Sequence, residues 1–171
     1  MSQDVRQQMI ALLPRLRRFA YGLTGNQDDA DDVVQATCER ALSRLHQWQP
    51  DTRLDSWMFR ITQTIWIDRK RAQNVRGASI DPQLVNEMAD SKDQDRDTEA
   101  QHTLNLVCQA LERLPEEHRS VLVLISVDGM SYKDAAETLQ IPIGTVMSRL
   151  ARARKRLHEL VYDTNMAKSI A

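Results

Sequence analysis

The chain has 171 residues, 42% apolar and 27% charged, with a formal net charge of -1. This suits one folded domain or two small ones. No apolar run approaches the ~20 residues that span a bilayer, and the start "MSQDVRQQMI" has no basic-then-apolar leader pattern, so the expected setting is cytoplasmic without membrane insertion.

The near-neutral average hides a pattern. Residues 1–76 hold 12 basic and 9 acidic groups, a net of +3; residues 77–100 hold 2 and 7, a net of -5; residues 101–171 hold 9 and 8, a net of +1. Two mildly basic pieces flank an acidic connector. Cys38 and Cys108 lie seventy positions apart with no CxxC partner, which fits neither a disulfide framework nor a zinc site. They read as small buried side chains. His46, His102, His118 and His158 show no metal spacing, and no Gly-rich phosphate loop or nucleophile motif occurs. The expectation is no enzyme, no cofactor and no metal.

The first predicted helix runs to about Thr24, with Pro14 either in its first turn or kinking a helix that begins near Asp4. Leu12, Leu16, Phe19 and Leu23 recur at helical spacing, and Gly22 and Gly25 favour an end there. A second helix starts near Asn26, with Asp28, Asp29, Asp31 and Asp32 crowding its positive end. Ala30, Val33, Val34, Ala41, Leu42 and Leu45 form its expected buried side. Opposite them, Asp28, Asp32, Gln35 and Glu39 make a continuous acidic and polar edge, read either as a wet face or as a docking edge for a basic protein surface. The segment "HQWQPDTR" (46–53) is a loop. A third helix spans roughly Leu54 to Ala72 and ends in Arg69, Lys70 and Arg71. In the loop, Trp48 beside Gln47, Asp51 and Thr52 can stack on and read an unpaired base, or pack its ring over the core. Trp57 is expected in the core, and Trp66, beside Arg69 and Lys70, is expected to be able to face a nucleic acid.

Residues 77–97, "GASIDPQLVNEMADSKDQDRD", are polar, acidic and aperiodic, and read as a linker. Beyond it one helix carries Leu104, Val107, Cys108 and Leu111, and Pro115 opens another that stops at "VDG" (127–129). Ser131 is a predicted N-cap with Asp134 three residues on. Ala135, Ala136 and Leu139 follow, Gln140-Ile141 turns the chain, and Pro142 fits the start of the next helix. There Val146, Leu150, Ala153, Leu157 and Leu160 form one apolar stripe, with Ser148, Arg149, Arg152 and Arg156 on the other side. This is a helix-turn-helix with a cationic second helix. Gly144, Thr145, Met147, Ser148 and Arg149 should reach deepest into a DNA groove, while Arg154, Lys155 and Arg156 hold phosphates.

The order "DDADDVVQATCERAL", "LDSWMFRI", "IDRKR", an acidic linker, "LERLPEEHRSVLVL" and "GMSYKDAAETLQIPIGTVMSRLARARKRL" resembles the extracytoplasmic-function (ECF) group of the sigma-70 family of bacterial RNA polymerase sigma factors, from about residue 10 to 160. The resemblance implies an all-α protein of two small helical domains joined by a flexible acidic linker: 1–75 for core polymerase binding and downstream promoter melting, 76–98 as linker, 99–163 as a helix-turn-helix for the upstream promoter element, and 164–171 as a tail. It implies core RNA polymerase and promoter DNA as partners, and an anti-sigma factor as a third that the group often uses. It places polymerase docking on Asp28, Asp32, Gln35 and Glu39. Downstream recognition falls on the loop His46 to Arg53, including Gln47, Trp48, Asp51, Thr52 and Arg53, with Thr64, Arg69, Lys70 and Arg71. Upstream recognition falls on Met147, Ser148, Arg149, Ala151 and Arg152. Met147 stands where the group often has Arg or Lys, and Thr64 where it commonly has Asn.

The linker reaches roughly 75–80 Å extended but averages about 25–30 Å as a free coil, so the two domains are expected to pack together when free and to part on polymerase. The competing readings are a helix-turn-helix regulator acting without polymerase, a helical enzyme, and an adaptor that never touches DNA.

Overall fold

The computed structural model describes residues 2–77 and 99–169, and side chains at 4–75 and 103–162. Among them every long element is a helix. The first three are α1 (Ser2–Thr24), α2 (Gln27–Ser43) and α3 (Leu54–Gly77), with a 3-10 turn at Leu45–Gln47. The others are α4 (Glu99–Glu112), α5 (Glu116–Ser126), α6 (Tyr132–Leu139) and α7 (Ile143–Ser169). The proposed linker lies, beyond Gly77, outside the described residues up to Glu99.

Pro14 sits inside α1, which continues through it from Ser2. Gly25, at φ 72°, takes the left-handed conformation that ends the helix. The Asn26 side chain then accepts from the N–H groups of Asp28 and Asp29 and starts α2. α3 runs five residues past its expected end. α7 runs to Ser169, so the tail continues that helix through most of its length.

α1, α2 and α3 pack as a three-helix module. Leu16, Phe19 and Leu23 of α1, Val33 of α2, and Met58 and Phe59 of α3 are fully or almost fully buried. Phe19 and Phe59 meet edge to face at 5.1 Å between centroids. Between α2 and α3 the buried hydroxyls of Thr37 and Thr62 bond to the carbonyls of Val33 and Met58, one turn back, and lie 3.2 Å apart, which satisfies both polar groups in a dry contact. The expectation for Leu42 fails. It is 49% exposed, because the module's third helix covers the Val33–Val34–Thr37–Ala41 side of α2 and leaves Leu42 on a shallow groove with Met9, Ile10 and Leu13.

The second module, α4 to α7, buries the predicted stripe: Val146, Leu150, Ala153 and Leu160 are inside, with Leu157 half-buried. Ser131 accepts from the Asp134 N–H as expected. Gln140, at φ 54°, makes the left-handed turn out of α6, an uncommon conformation for a residue with a Cβ.

The two modules share one continuous buried cluster. Gly22 of α1 lies so close to α5 that a Cβ there would meet Val123 Cγ1 at 2.6 Å. Arg119 of α5, only 2% exposed, donates to the Leu23 carbonyl at 2.6 Å and lies over the Trp66 ring. Burial pushes its pKa down, against the pull of Glu112 and Glu116. Trp66 is therefore corrected: it is 2% exposed and belongs to the shared buried cluster, with the Arg119 guanidinium of α5 over its ring.

Candidate nucleic-acid and protein interfaces

The second helix of the helix-turn-helix owes its orientation to its own apolar stripe. With Val146, Leu150 and Ala153 buried, the positions between them are forced outward. Met147, Ser148, Ala151, Arg152, Arg154, Lys155 and Arg156 are exposed, and Thr145 and Arg149 are half-exposed. Met147, at 52% exposure, offers an apolar contact at the centre of this face. Arg149 Nη2 pairs with Glu117 Oε2 on α5 at 2.5 Å, which holds its guanidinium at the edge of the face. Arg156 pairs with Glu159 one turn on.

On the first module Asp28, Asp32, Gln35 and Glu39 are all exposed along α2. The Gln35 amide donates to Glu39 at 3.1 Å. Arg69 donates to the backbone carbonyl of Asp32, so this acidic edge and the basic end of α3 adjoin. Lys70 is half-exposed and Arg71 exposed.

The loop after the 3-10 turn is held by short bonds: the Thr52 N–H and hydroxyl both reach the Gln49 carbonyl, the hydroxyl at 2.7 Å. Gln47, Asp51, Thr52 and Arg53 are exposed and Trp48 half-buried. The Trp48 Nε1 is buried without a hydrogen-bond partner, an unsatisfied donor of the kind native structures seldom leave. Thr64 is exposed, its hydroxyl bonded back to the Arg60 carbonyl.

Two residues of this cleft, Trp57 and Arg60, escaped the sequence reading. Trp57 is half-buried, packed in part against the core as expected, and it also lines one cleft with Trp48, Thr52, Arg53 and Arg60. Positions 53, 57, 60 and 64 are spaced as one face at the start of α3. That stripe is present in the sequence, but Trp57 also stands beside Leu54 and Met58, which are buried.

The cleft is not open to solvent on every side. Arg53 pairs with Asp55 at 2.8 Å and with Asp134 at the start of α6. Arg60 donates to the carbonyls of Glu137 and Thr138 at the other end of α6. Asp55 in turn accepts from Arg15 at 3.4 Å, and Arg15 grips Asp128 at 2.7 Å. For Asp55, burial raises the carboxyl pKa, but the hydrogen bonds from Arg53 and the Ser56 N–H and the charges of Arg53 and Arg15 outweigh it and hold it below its usual 3.8. Among the described residues no group of His, Cys, Asp and Glu is arranged to hold a metal ion, and no helix is long and apolar enough to cross a membrane.

Residues 104–157 match the family described as "Sigma-70, region 4", and residues 9–63 match "Sigma2 domain of PhyR". The chain is 35% identical over 164 residues to the ECF RNA polymerase sigma factor EcfG of Rhodopseudomonas palustris, covering 95% of this chain and 87% of that protein. In structure it is similar to the sigma factor RpoE of Bartonella quintana, solved in complex with the anti-sigma factor NepR. That likeness has a TM-score of 0.72 and 31% identity, over 94% of this chain and 98% of RpoE. It is also similar to CnrH, solved with the cytosolic domain of CnrY, with a TM-score of 0.71 and 26% identity over 95% of this chain and 90% of CnrH.

Proposed function

The chain belongs to the ECF group of RNA polymerase sigma factors, a family of transcription initiation factors, and from that premise we propose how its surfaces divide the work. The module 1–75 docks on core RNA polymerase through Asp28, Asp32, Gln35 and Glu39, an exposed edge whose charge suits a basic partner. Its loop 46–53 and the Arg53–Trp57–Arg60–Thr64 face of α3 take the downstream promoter element. Trp48 stacks on a base freed from the duplex, and Arg69, Lys70 and Arg71 hold the backbone. Opening a base-pair step costs a few kcal/mol, and capture of the freed base offsets part of it.

The module 99–163 reads the upstream element with Thr145, Met147, Ser148, Arg149, Ala151 and Arg152, while Arg154, Lys155 and Arg156 neutralise phosphates. The observation that carries this reading is the forced outward display of seven of these residues by a buried apolar stripe. With few phosphate contacts in each module, neither holds DNA tightly alone at physiological salt. Mounting both on polymerase supplies the effective concentration. The protein then acts in the cytoplasm without chemistry of its own. An anti-sigma factor is a natural further partner, since RpoE and CnrH were each solved with a bound protein.

Run-off transcription with purified core polymerase tests the reading. The expected result is initiation at defined sites only when this chain is present, with Arg149→Ala plus Arg152→Ala losing the upstream footprint. Tight promoter binding without polymerase, and no initiation with it, would favour a free-standing regulator instead.

A further inference from the structure

The helix α6 belongs to the upstream-reading module, yet it lies against the downstream-reading cleft. Its Asp134 carboxylate takes Arg53, and its last carbonyls, on Glu137 and Thr138, take Arg60. Glu137 lines the cleft beside Trp57. Thus the two cations of the cleft meet a carboxylate at one end of α6 and the negative end of a helix dipole at the other. An anionic single strand passing along this face would offer the same two cations the same kind of partner.

Behind this contact runs a ladder of alternating charge, Asp134–Arg53–Asp55–Arg15–Asp128. Both outer carboxylates come from the second module, and the three inner groups come from the first. The buried Thr138 hydroxyl and Ser56 hydroxyl, 3.0 Å apart, close the seam. This α3–α6 edge of the seam, made of ion pairs and polar contacts, adds less net stability than an apolar edge of its size, because charges lose hydration when it forms, whereas the α1–α5 contact at Gly22 and Val123 is apolar. It is the edge suited to being reopened.

Meanwhile the recognition face of α7 stays uncovered: Met147, Ser148, Arg152 and Arg154 are exposed in this same arrangement. The closure is therefore one-sided. We propose that α6 acts as a built-in stand-in for the downstream single strand, so that the free chain ties up the two arginines of its downstream-reading cleft, Arg53 through Asp134 and Arg60 through the α6 carbonyls, while leaving its upstream-reading helix available. This rests on the initiation reading above. It adds that the downstream surface becomes competent only after α6 leaves α3, and that Asp134 sets how readily it does so.

The test uses the full chain carrying Ser56→Cys as a reporter, because Ser56 is buried in the seam. The rate of maleimide labelling at that position, read by mass spectrometry of its peptide, follows the opening equilibrium. Adding Asp134→Asn, which keeps the backbone N–H that Ser131 caps, should speed labelling about two- to fivefold, the weight of one partly exposed ion pair. It should tighten binding of a fluorescent single-stranded oligodeoxynucleotide of mixed sequence by a similar factor. Adding Asp128→Asn as well should enlarge both effects. Unchanged labelling, or faster labelling with unchanged oligonucleotide binding, overturns the proposal. Run-off transcription on the same proteins separates it from its premise. If the unmodified chain starts RNA chains with core polymerase while Asp134→Asn alters neither reading, the mask alone fails. If no chain starts RNA, the initiation reading itself fails.

Discussion

Arg15 and Asp128, 113 positions apart, form a two-pronged pair across the seam between the modules: Nε reaches Oδ1 at 3.1 Å and Nη2 reaches Oδ2 at 2.7 Å. The Asp128 side chain is fully buried and that of Arg15 one-third exposed. The hydrogen bonding that Arg15 donates to Asp128, ahead of the opposing effect of burial, raises the Arg15 pKa. Such fork-to-fork geometry is among the stronger hydrogen-bonding arrangements in proteins. Replacing Asp128 with Ala should cost about 1.5–3 kcal/mol, the range for hydrogen bonds to charged groups, and nearer the lower end because Arg15 keeps solvent and Asp55. Urea unfolding of the full chain would show it as a lower midpoint.

Gly22→Ala should move two quantities in opposite directions. Within an isolated helix the change favours folding by about 1 kcal/mol. Here the new methyl would press on both γ-carbons of Val123, at 2.6 and 2.9 Å, so α5 must back away. The first module should gain local stability, measured by amide hydrogen exchange in α1, while the seam loosens. Val123→Ala should relieve the clash, so the double variant should recover seam protection relative to Gly22→Ala alone. Equal protection in the single and double variants would show that the close approach of α1 and α5 is not set at this point.

These seam residues also show where sequence legibility stopped. The helix-turn-helix was readable because its signals are local: a cap at Ser131, small alanines, a turn, then a periodic apolar stripe from Val146 to Leu160. Trp66 and Arg119 were not, because each is buried by a partner far along the chain, and an exposed cationic end of a helix looks the same in sequence as one half-covered by another module. Leu42 fails for the converse reason. Its periodicity is right for a buried face, but α3 covers only part of α2. Trp57 lies between these cases, with one edge on the core and the other in the cleft.

The depressed carboxyl pKa of Asp55 gives the seam an acid limit. A group held below its ordinary value stabilises the folded state fully above that value, here 3.8, and the contribution disappears as pH falls through the lower folded value. Stability from this group should therefore be flat from neutrality down towards 3.8 and decline below it. Melting temperatures of the native chain and of Asp55→Asn should differ by a constant amount above that point and converge beneath it. A difference that already shrinks near neutrality would assign the effect to some other group.

Glu117 competes with DNA for Arg149. The pair is short, 2.5 Å, but Glu117 is 65% exposed, so breaking it costs at most about 1 kcal/mol. Glu117→Gln should release the guanidinium and remove a negative charge from beside the phosphates. Upstream-fragment binding by the polymerase-bound protein should tighten by up to about fivefold. Arg149→Ala should weaken it by about 1–3 kcal/mol if the arginine makes a bidentate base contact. Footprint titrations of the two variants measure both. Weaker binding in Glu117→Gln would mean the carboxylate positions Arg149 for DNA.

Trp48 permits a sharper separation of packing from recognition. Its indole N–H is buried with no partner, and such a donor costs about 1–3 kcal/mol relative to a satisfied one. Phe in its place keeps an aromatic face for stacking and removes that donor. If the N–H served no purpose, Trp48→Phe would raise stability and leave promoter opening as it was. If it is held ready for a captured base, stability should rise while opening falls, because the base loses its hydrogen bond in the open complex. The second pattern is the expected one, since Trp48 sits in a loop fixed by the Thr52–Gln49 bonds and lines the cleft proposed to take the downstream element. Trp48→Ala should lower both by removing the ring. Thermal melts report the first quantity and permanganate footprinting of unpaired thymines reports the second; a Phe variant that melts higher and opens promoters normally would leave stacking as the whole of this residue's role.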